Sequence, residues 1–94
     1  MKVEIKFFTS LREITGKKVD QLQLQNNLTV DELITMLSEK YGKKFREYIY
    51  NNKRQPQEYL SFLVNGTNIN NIQGFDTKLK NEDVVAILPP VGGG

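Results

Sequence analysis

Hydrophobic and charged residues alternate from the start of the chain. Val3, Ile5 and Phe7 fall on one side of the pattern and charged residues on the other. A period of two predicts a half-buried strand. Phe8 interrupts the pattern, because it places an aromatic ring on the polar side. The alternation resumes in residues 19–25. The first two strands are therefore predicted to form a hairpin with a structured connecting loop.

The pattern changes to a helical period after Thr29. Thr29 and Glu32 have the spacing of a capping box, in which each residue satisfies a backbone N–H of the other. Gly42 is the residue expected just past the end of the helix. A shorter helical piece is predicted within 43–50. The long helix should pack on a sheet, because its apolar residues share one face: Val30, Leu33, Ile34, Leu37 and Tyr41.

The C-terminal half predicts three more strands after an irregular crossing. Residues 59–64 form the first, Asn65-Gly66 is a strong tight-turn signal, and 67–69 form a short return strand. Residues 84–88 are almost entirely apolar, which is typical of a central strand. The order predicts an α+β, β-grasp fold, in which a mixed sheet of four to five strands packs on one main helix.

Length and composition limit the classes of function. The chain has 94 residues, 38% hydrophobic and 10% aromatic, which is enough for a single domain with its own core. It contains neither Cys nor His, which excludes disulfides, thiolate nucleophiles, the usual zinc sites and imidazole chemistry. We therefore expect no metal site. The N-terminus does not resemble a signal peptide and no run could span a bilayer, so we expect a cytoplasmic protein without membrane contact.

The charge pattern does not indicate a nucleic-acid site or an autonomous enzyme. The net charge is +2, and no basic stripe is interleaved with aromatic residues. No nucleophile–base pair, phosphate-binding loop or paired carboxylate is recognisable. We expect no nucleic-acid partner, and we expect that the chain is not catalytic alone.

The strongest functional signal is the ending Pro89-Pro90-Val91-Gly92-Gly93-Gly94. The prolines stop the preceding strand, and the glycines permit close backbone approach inside a narrow channel. Fully extended, the six residues reach about 20 Å. We predict a folded domain over 1–88 and a flexible tail over 89–94, disordered after Pro90 in the free protein. The Gly94 carboxylate would be the reacting group, and an inert linker is the alternative.

One set of short motifs runs through the whole chain in a fixed order: Phe7-Phe8, Leu11-Arg12-Glu13, Gly16, Thr29-Val30, Leu33, Val64-Asn65-Gly66, Leu79-Lys80, Asp83-Val84 and the Pro-Pro-Val-Gly-Gly-Gly ending. With these motifs the sequence resembles the MoaD-type sulfur carriers, ubiquitin-like β-grasp proteins that form the small subunit of molybdopterin synthase and are related to ThiS. A departure occurs at 81–83, where the family has a glycine between acidic residues, and a differently shaped turn is expected there. The segments 51–58 and 70–76 make the chain similar to longer archaeal-type members, some of which double as protein modifiers.

The resemblance implies a sequence of partners. An E1-like adenylyltransferase of the MoeB type, carrying ATP and zinc, would join the Gly94 carboxylate to AMP, and sulfur transfer would give a thiocarboxylate. A large synthase subunit of the MoaE type would pass the sulfur to a pterin in molybdenum or tungsten cofactor synthesis. The alternative is a modifier that links Gly94 to lysines of target proteins. A thiamin-pathway carrier and an inert interaction module remain further options.

The same resemblance, with the strand phase, gives the candidate partner-binding residues. Phe8, Leu88 and Ile69 are expected to form an exposed apolar docking patch, although ordinary core is the alternative for such residues. Arg12 and Lys80 could pair with acidic partner groups, although a solvated surface charge is the alternative for each. The tail completes the set with Pro89, Pro90, Gly92 and Gly93 around the reacting Gly94.

Overall fold

The computed structural model describes residues 1–90, and its strands form one mixed sheet. The strands are β1 (Lys2–Phe7), β2 (Val19–Gln23), β3 (Ser61–Val64), β4 (Thr67–Asn68) and β5 (Val84–Leu88). Their order across the sheet is β2-β1-β5-β3-β4. The last strand thus lies in the middle, parallel to β1 and antiparallel to β3, as its apolar composition predicted.

Three α-helices accompany the sheet: α1 (Ser10–Thr15), α2 (Val30–Tyr41) and α3 (Lys43–Ile49). The predicted capping box opens α2, because the Thr29 hydroxyl accepts from the Glu32 N–H at 3.2 Å and the Glu32 carboxylate accepts from the Thr29 N–H at 3.0 Å. The arrangement confirms the predicted β-grasp fold. In the described part of the chain, no helix is long and apolar enough to cross a membrane.

The core lies between one face of the sheet and the helices. Strand residues alternate strictly between buried and less buried positions, so each strand turns one set of side chains toward the core. Phe7 and Phe45 are the largest fully buried side chains among the described residues. Phe7 lies at the end of β1. Its ring packs edge-on against Tyr41 at 5.7 Å and Phe45 at 6.3 Å between centroids. This aromatic contact ties the end of β1 to both α2 and α3.

A side-chain clamp fixes the turn that precedes β5. Asn65 and Gly66 both have positive φ, 52° and 83°, as a tight hairpin turn between β3 and β4 requires. The Asn65 amide donates to the Asp83 carboxylate at 2.8 Å and accepts from the Val84 N–H at 2.9 Å. Glu82 has a φ of 72°, so this residue takes the left-handed conformation that a glycine would favour. The start of β5 is therefore held by two neighbouring turns.

Three predicted strand boundaries and one connection differ from the structure. The second strand, predicted over 19–25, ends at Gln23. The strand predicted from residue 59 begins at Ser61. The return strand stops at Asn68, whose side chain accepts from the Asn70 N–H at 2.9 Å and begins the 3₁₀ turn Ile69–Asn71. The β1–β2 loop contains the short helix α1. Helix α1 has six residues and only Leu11 among them is buried, so the sequence shows no helical period there.

A buried carboxylate attaches the outer strand β2 to the end of α2. Asp20 accepts hydrogen bonds from the Tyr41 hydroxyl and from Lys40 Nζ, the latter at 2.8 Å, and Lys17 Nζ lies 3.6 Å away. Burial alone would raise the pKa of Asp20, but these hydrogen bonds and positive charges outweigh it, so the pKa is lowered. Burial and the same hydrogen bond raise the pKa of Tyr41.

We expect Asp20→Asn to lower the free energy of unfolding at neutral pH by about 1–3 kcal/mol, because the amide carries no negative charge and keeps only one of the two acceptor oxygens. Since the folded-state pKa of Asp20 is lowered, its stabilisation is complete above the ordinary value of 3.8 and is lost as the pH falls below it. Urea denaturation of both proteins across this pH range should therefore show the difference shrinking in acid. The exposed Glu58→Gln is the control, and a difference independent of pH would contradict the assignment.

Candidate docking surface at the end of the central strand

The face of the sheet turned away from the core carries an apolar strip. The residues of β5 that do not face the core, Val84, Ala86 and Leu88, are half-buried. Leu63 of β3 is also half-buried and is paired with Ala86 in register. The central strand is therefore apolar on both faces, although only one face meets the helices. An apolar strip on an open sheet face suits contact with another macromolecule.

Phe8 extends this strip at the end where the chain leaves the sheet. Phe7 pairs with Ile87 in the parallel ladder, and Phe8 and Leu88 are the residues that directly follow this pair in the two chain segments. Phe8 is half-buried, and the Arg12 guanidinium lies over its ring at 5.4 Å from the centroid. Arg12 Nε also donates to the Phe7 carbonyl at 3.0 Å. The structure thus brings together three residues that the sequence proposed for docking, and their docking role stays a prediction.

Two tyrosines flank the same end of the sheet. Tyr59 precedes β3 and is 53% exposed, an unusual state for a large aromatic residue. Burial raises the pKa of Tyr48, a hydrogen bond with Thr9 opposes that rise, and the nearby Tyr59 phenol adds to it. Tyr48 therefore lies close to both the loop after β1 and the residue before β3. Sequence reasoning missed Tyr59 because it made this residue the first of the predicted strand 59–64, whereas β3 begins at Ser61.

The tail begins at this surface. Pro89 is half-buried and Pro90 is exposed, and both lie beyond the last strand. The predictions for Gly92, Gly93 and Gly94, including disorder after Pro90, fall outside the described residues. The exit surface, as we name it, comprises Phe8, Arg12, Leu63, Ala86, Leu88, Pro89 and Tyr59.

Two candidate residues do not belong to the exit surface. Ile69 is only 2% exposed, because the 3₁₀ turn that begins there directs its side chain into the core, so its placement in an exposed patch is wrong. Lys80 lies in the turn before β5, whereas the tail leaves after the other end of that strand. Its backbone N–H donates to the Asp83 carboxylate at 2.7 Å, and its side chain is exposed. The prediction for Lys80 relied on its nearness to β5 along the chain. Because β5 lies between Lys80 and the tail, the two are separated by the length of the strand.

The other surface features of residues 1–90 offer little chemistry. No three His, Cys, Asp or Glu side chains in this range are grouped to hold a metal ion. A cleft of about 690 Å³ lies between α2 and α3, and its rim mixes Asp31, Glu39 and Glu47 with Arg46 and Arg54. This cleft is lined by helix residues and the loop after α3, not by the exit surface. The exit surface, by contrast, is partly apolar and lies where the chain leaves β5.

The sequence model of the ThiS family matches residues 5–94, which includes the whole Pro-Pro-Val-Gly-Gly-Gly ending. The chain belongs to the ThiS family of ubiquitin-like sulfur carriers. The predicted resemblance to ThiS and MoaD proteins is thereby confirmed.

Two relatives of this ThiS-family protein have been described. It is 29% identical over 94 residues to small archaeal modifier protein 3 of Haloferax volcanii, with 100% of each chain covered. It is 37% identical over 67 residues to a putative sulfur carrier protein of Archaeoglobus fulgidus, covering 71% of this chain and 75% of the relative.

Solved structures support the same fold. The solution structure of small archaeal modifier protein 1 from Methanosarcina acetivorans is similar with a TM-score of 0.84 at 30% identity, covering 99% of this ThiS-family chain and 96% of that one. Putative molybdopterin converting factor subunit 1 from Pyrococcus furiosus is similar with a TM-score of 0.76 at 28% identity, covering 96% and 98%.

The adjacent pair Phe7 and Phe8 gives a direct test of which ring belongs to the core. We expect Phe7→Ala to lower the free energy of unfolding by about 3–5 kcal/mol, as for other buried aromatic residues. Phe8→Ala should cost only about 1–2 kcal/mol, because part of its ring already contacts water. Chemical denaturation measures both. Equal losses for the two variants would show that Phe8 serves the core instead of a free surface.

Proposed function

We propose that this protein is a sulfur carrier that is activated at Gly94 and donates sulfur for molybdopterin synthesis as the small subunit of the synthase. The observation that carries the proposal is that the family match runs through residue 94, and so includes both prolines and all three terminal glycines. Every other part of the chain supplies a fold and a docking surface, whereas only the C-terminal carboxylate supplies a reacting group.

The proposed chemistry takes place on partners. A free carboxylate is a poor electrophile, so an E1-like adenylyltransferase of the MoeB type would first convert Gly94 to an acyl-adenylate with release of pyrophosphate from ATP. A sulfur donor would then displace AMP and leave a Gly94 thiocarboxylate. ATP and zinc belong to that enzyme in this proposal. A large subunit of the MoaE type would next accept the tail and transfer the sulfur to the pterin precursor.

The exit surface suits the docking that these steps require. Phe8 and Leu88 would be apolar anchors, and an anchor at the centre of an interface usually dominates its binding energy. Arg12 would add a charged contact at the side of that patch, where its guanidinium is exposed. Pro89 and Pro90 restrict the start of the tail, so less conformational entropy is lost when a partner encloses the residues beyond them.

The names of two similar proteins support the choice of a pterin as sulfur acceptor and the alternative function. The similar Pyrococcus protein is described as a molybdopterin converting factor subunit, which favours the pterin. The full-length Haloferax relative is described as a modifier protein, which favours the second candidate function. In that function the activated Gly94 is captured by a lysine amine of a target protein, with an isopeptide bond as the product. Both functions share the adenylation step.

We expect that one alanine added after Gly94 abolishes activation, because the displaced carboxylate no longer reaches the enzyme's reacting centre. The unextended and extended proteins should each be incubated with the E1-like enzyme from the same cells, ATP and a sulfur donor, and analysed by intact mass. Only the unextended protein should gain the mass of an oxygen-to-sulfur exchange. Equal activation of both, or of neither, would contradict a reacting role for Gly94.

We also expect Phe8→Ala to raise the KM of adenylation by about 5- to 30-fold with little change in kcat, as for the loss of an interface anchor worth 1–2 kcal/mol. Pyrophosphate release measures the reaction. The matched control is Met36→Ala on α2, which removes an apolar side chain that is 42% exposed on a helix away from the exit surface. The same KM change in both variants would contradict docking through Phe8.

A further inference from the structure

The outer edge of β2 presents backbone groups that the described part of the chain does not pair. β2 is the first strand of the order β2-β1-β5-β3-β4, so β1 is its one neighbour in the sheet. The Phe7 N–H donates to the Lys18 carbonyl at 2.9 Å, and an antiparallel ladder uses every second residue of a strand in this way. The N–H and C=O groups of Val19, Gln21 and Gln23 therefore point away from β1. Such a row of donors and acceptors matches the backbone of an extended chain.

This edge lacks the features by which proteins usually stop a strand from pairing further. A proline, a lysine within the strand or a bulge commonly blocks an exposed edge. Val19–Gln23 contains neither proline nor lysine, and its register with β1 runs without interruption over five residues. Asp20 is its one charged residue, and this side chain is buried and paired with Lys40. The strand at the opposite edge of the sheet, β4, has only two residues and offers a partner little to pair with.

Apolar side chains lie on both sides of the same edge. Val19 is 40% exposed, and Leu22, which is turned toward the helices, is only half-buried. A strand added beside β2 would cover part of both, because its successive side chains point to opposite faces of the sheet. β-branched residues suit such a position, since they pack well on a pleated surface. The edge therefore favours an apolar partner segment.

The charge along the edge differs between its two ends. Lys17, Lys18 and Lys40 lie at the end where β2 begins, and all three side chains are exposed. Two of them contact the Asp20 carboxylate, so three positive charges stand against one negative charge. Residues 21–28 carry no charged side chain. Acidic groups of a partner would therefore be attracted to one end of the edge and not to the other.

We propose that the β2 edge, which comprises Val19–Gln23 with Lys17, Lys18 and Lys40, binds an extended segment of another protein in which β-branched apolar residues are followed by acidic residues. The segment runs antiparallel to β2, the slightly more stable arrangement, and forms a sixth strand of the sheet. In that direction its acidic end lies beside the lysines. Because β1 separates β2 from β5, this contact does not require the tail, and it goes beyond the proposed sulfur transfer.

The test uses a fluorescein-labelled peptide, Val-Ile-Val-Ile followed by three aspartates, whose Kd for the full chain is measured by fluorescence anisotropy. Gln21→Pro removes an N–H that β1 does not use and blocks the middle of the edge. Its Kd should rise about tenfold or more, as for the loss of one or two hydrogen bonds. The matched control Gln21→Thr keeps the N–H and suits a strand, so its Kd should stay within about twofold. Urea denaturation checks that both variants fold.

The charges are tested separately, and this test does not depend on the folding of the proline variant. Lys18→Gln should raise the Kd about two- to threefold, and a peptide with three lysines in place of the aspartates should bind about tenfold more weakly or less. Equal binding of the two peptides would overturn the proposal. The absence of binding to the unmodified chain, or equal Kd values for folded Gln21→Pro and Gln21→Thr, would also overturn it. A dimer of the chain that Gln21→Pro dissociates in sedimentation would assign the edge to a second copy instead.

Discussion

The position of β5 between β1 and β3 is the constraint on which the rest of the structure depends. Val85 and Ile87 face the core and are almost fully buried, while Ala86 and Leu88 lie on the open face. Pairing on both sides fixes the direction in which the chain leaves the sheet. The same pairing brings the end of β1 next to the start of the tail. A single strand therefore supplies the centre of the core, part of the exit surface and the point at which the chain leaves the sheet.

The two faces of the sheet differ in how far their side chains are buried. On the covered face, Phe7 packs against aromatic rings from two helices, and deletion of such a side chain would leave a cavity. On the open face, the neighbouring Phe8 is only half-buried and is held by contacts within its own turn. Phe7 ends β1 and Phe8 follows it directly, so their side chains point to opposite faces. Docking at Phe8, as proposed, would leave the core contacts of Phe7 in place.

The sequence predicted the elements whose signals are local or strongly periodic. The capping box of Thr29 and Glu32 and the apolar run 84–88 predicted α2 and the central strand correctly, because both patterns arise from the element itself. Ile69 was misplaced because the turn that buries it depends on the Asn68 side chain. Lys80 was placed too near the tail because its distance from the tail depends on the length and direction of β5 in the folded sheet. No feature of the sequence predicts the backbone conformation of Thr9, whose φ is 47°, because the buried residues Phe7 and Leu11 on either side set it.

Intact-mass spectrometry of the protein from its native cells, with fragmentation of the C-terminal peptide, tests the central claim most directly. The account predicts a fraction of molecules in which one oxygen of the Gly94 carboxylate is replaced by sulfur. Gly94 found only in isopeptide linkage to lysines would instead make protein modification the function. A carboxylate that is always free and unmodified, in cells that are actively making the cofactor, would contradict both and would leave an interaction module with an inert tail.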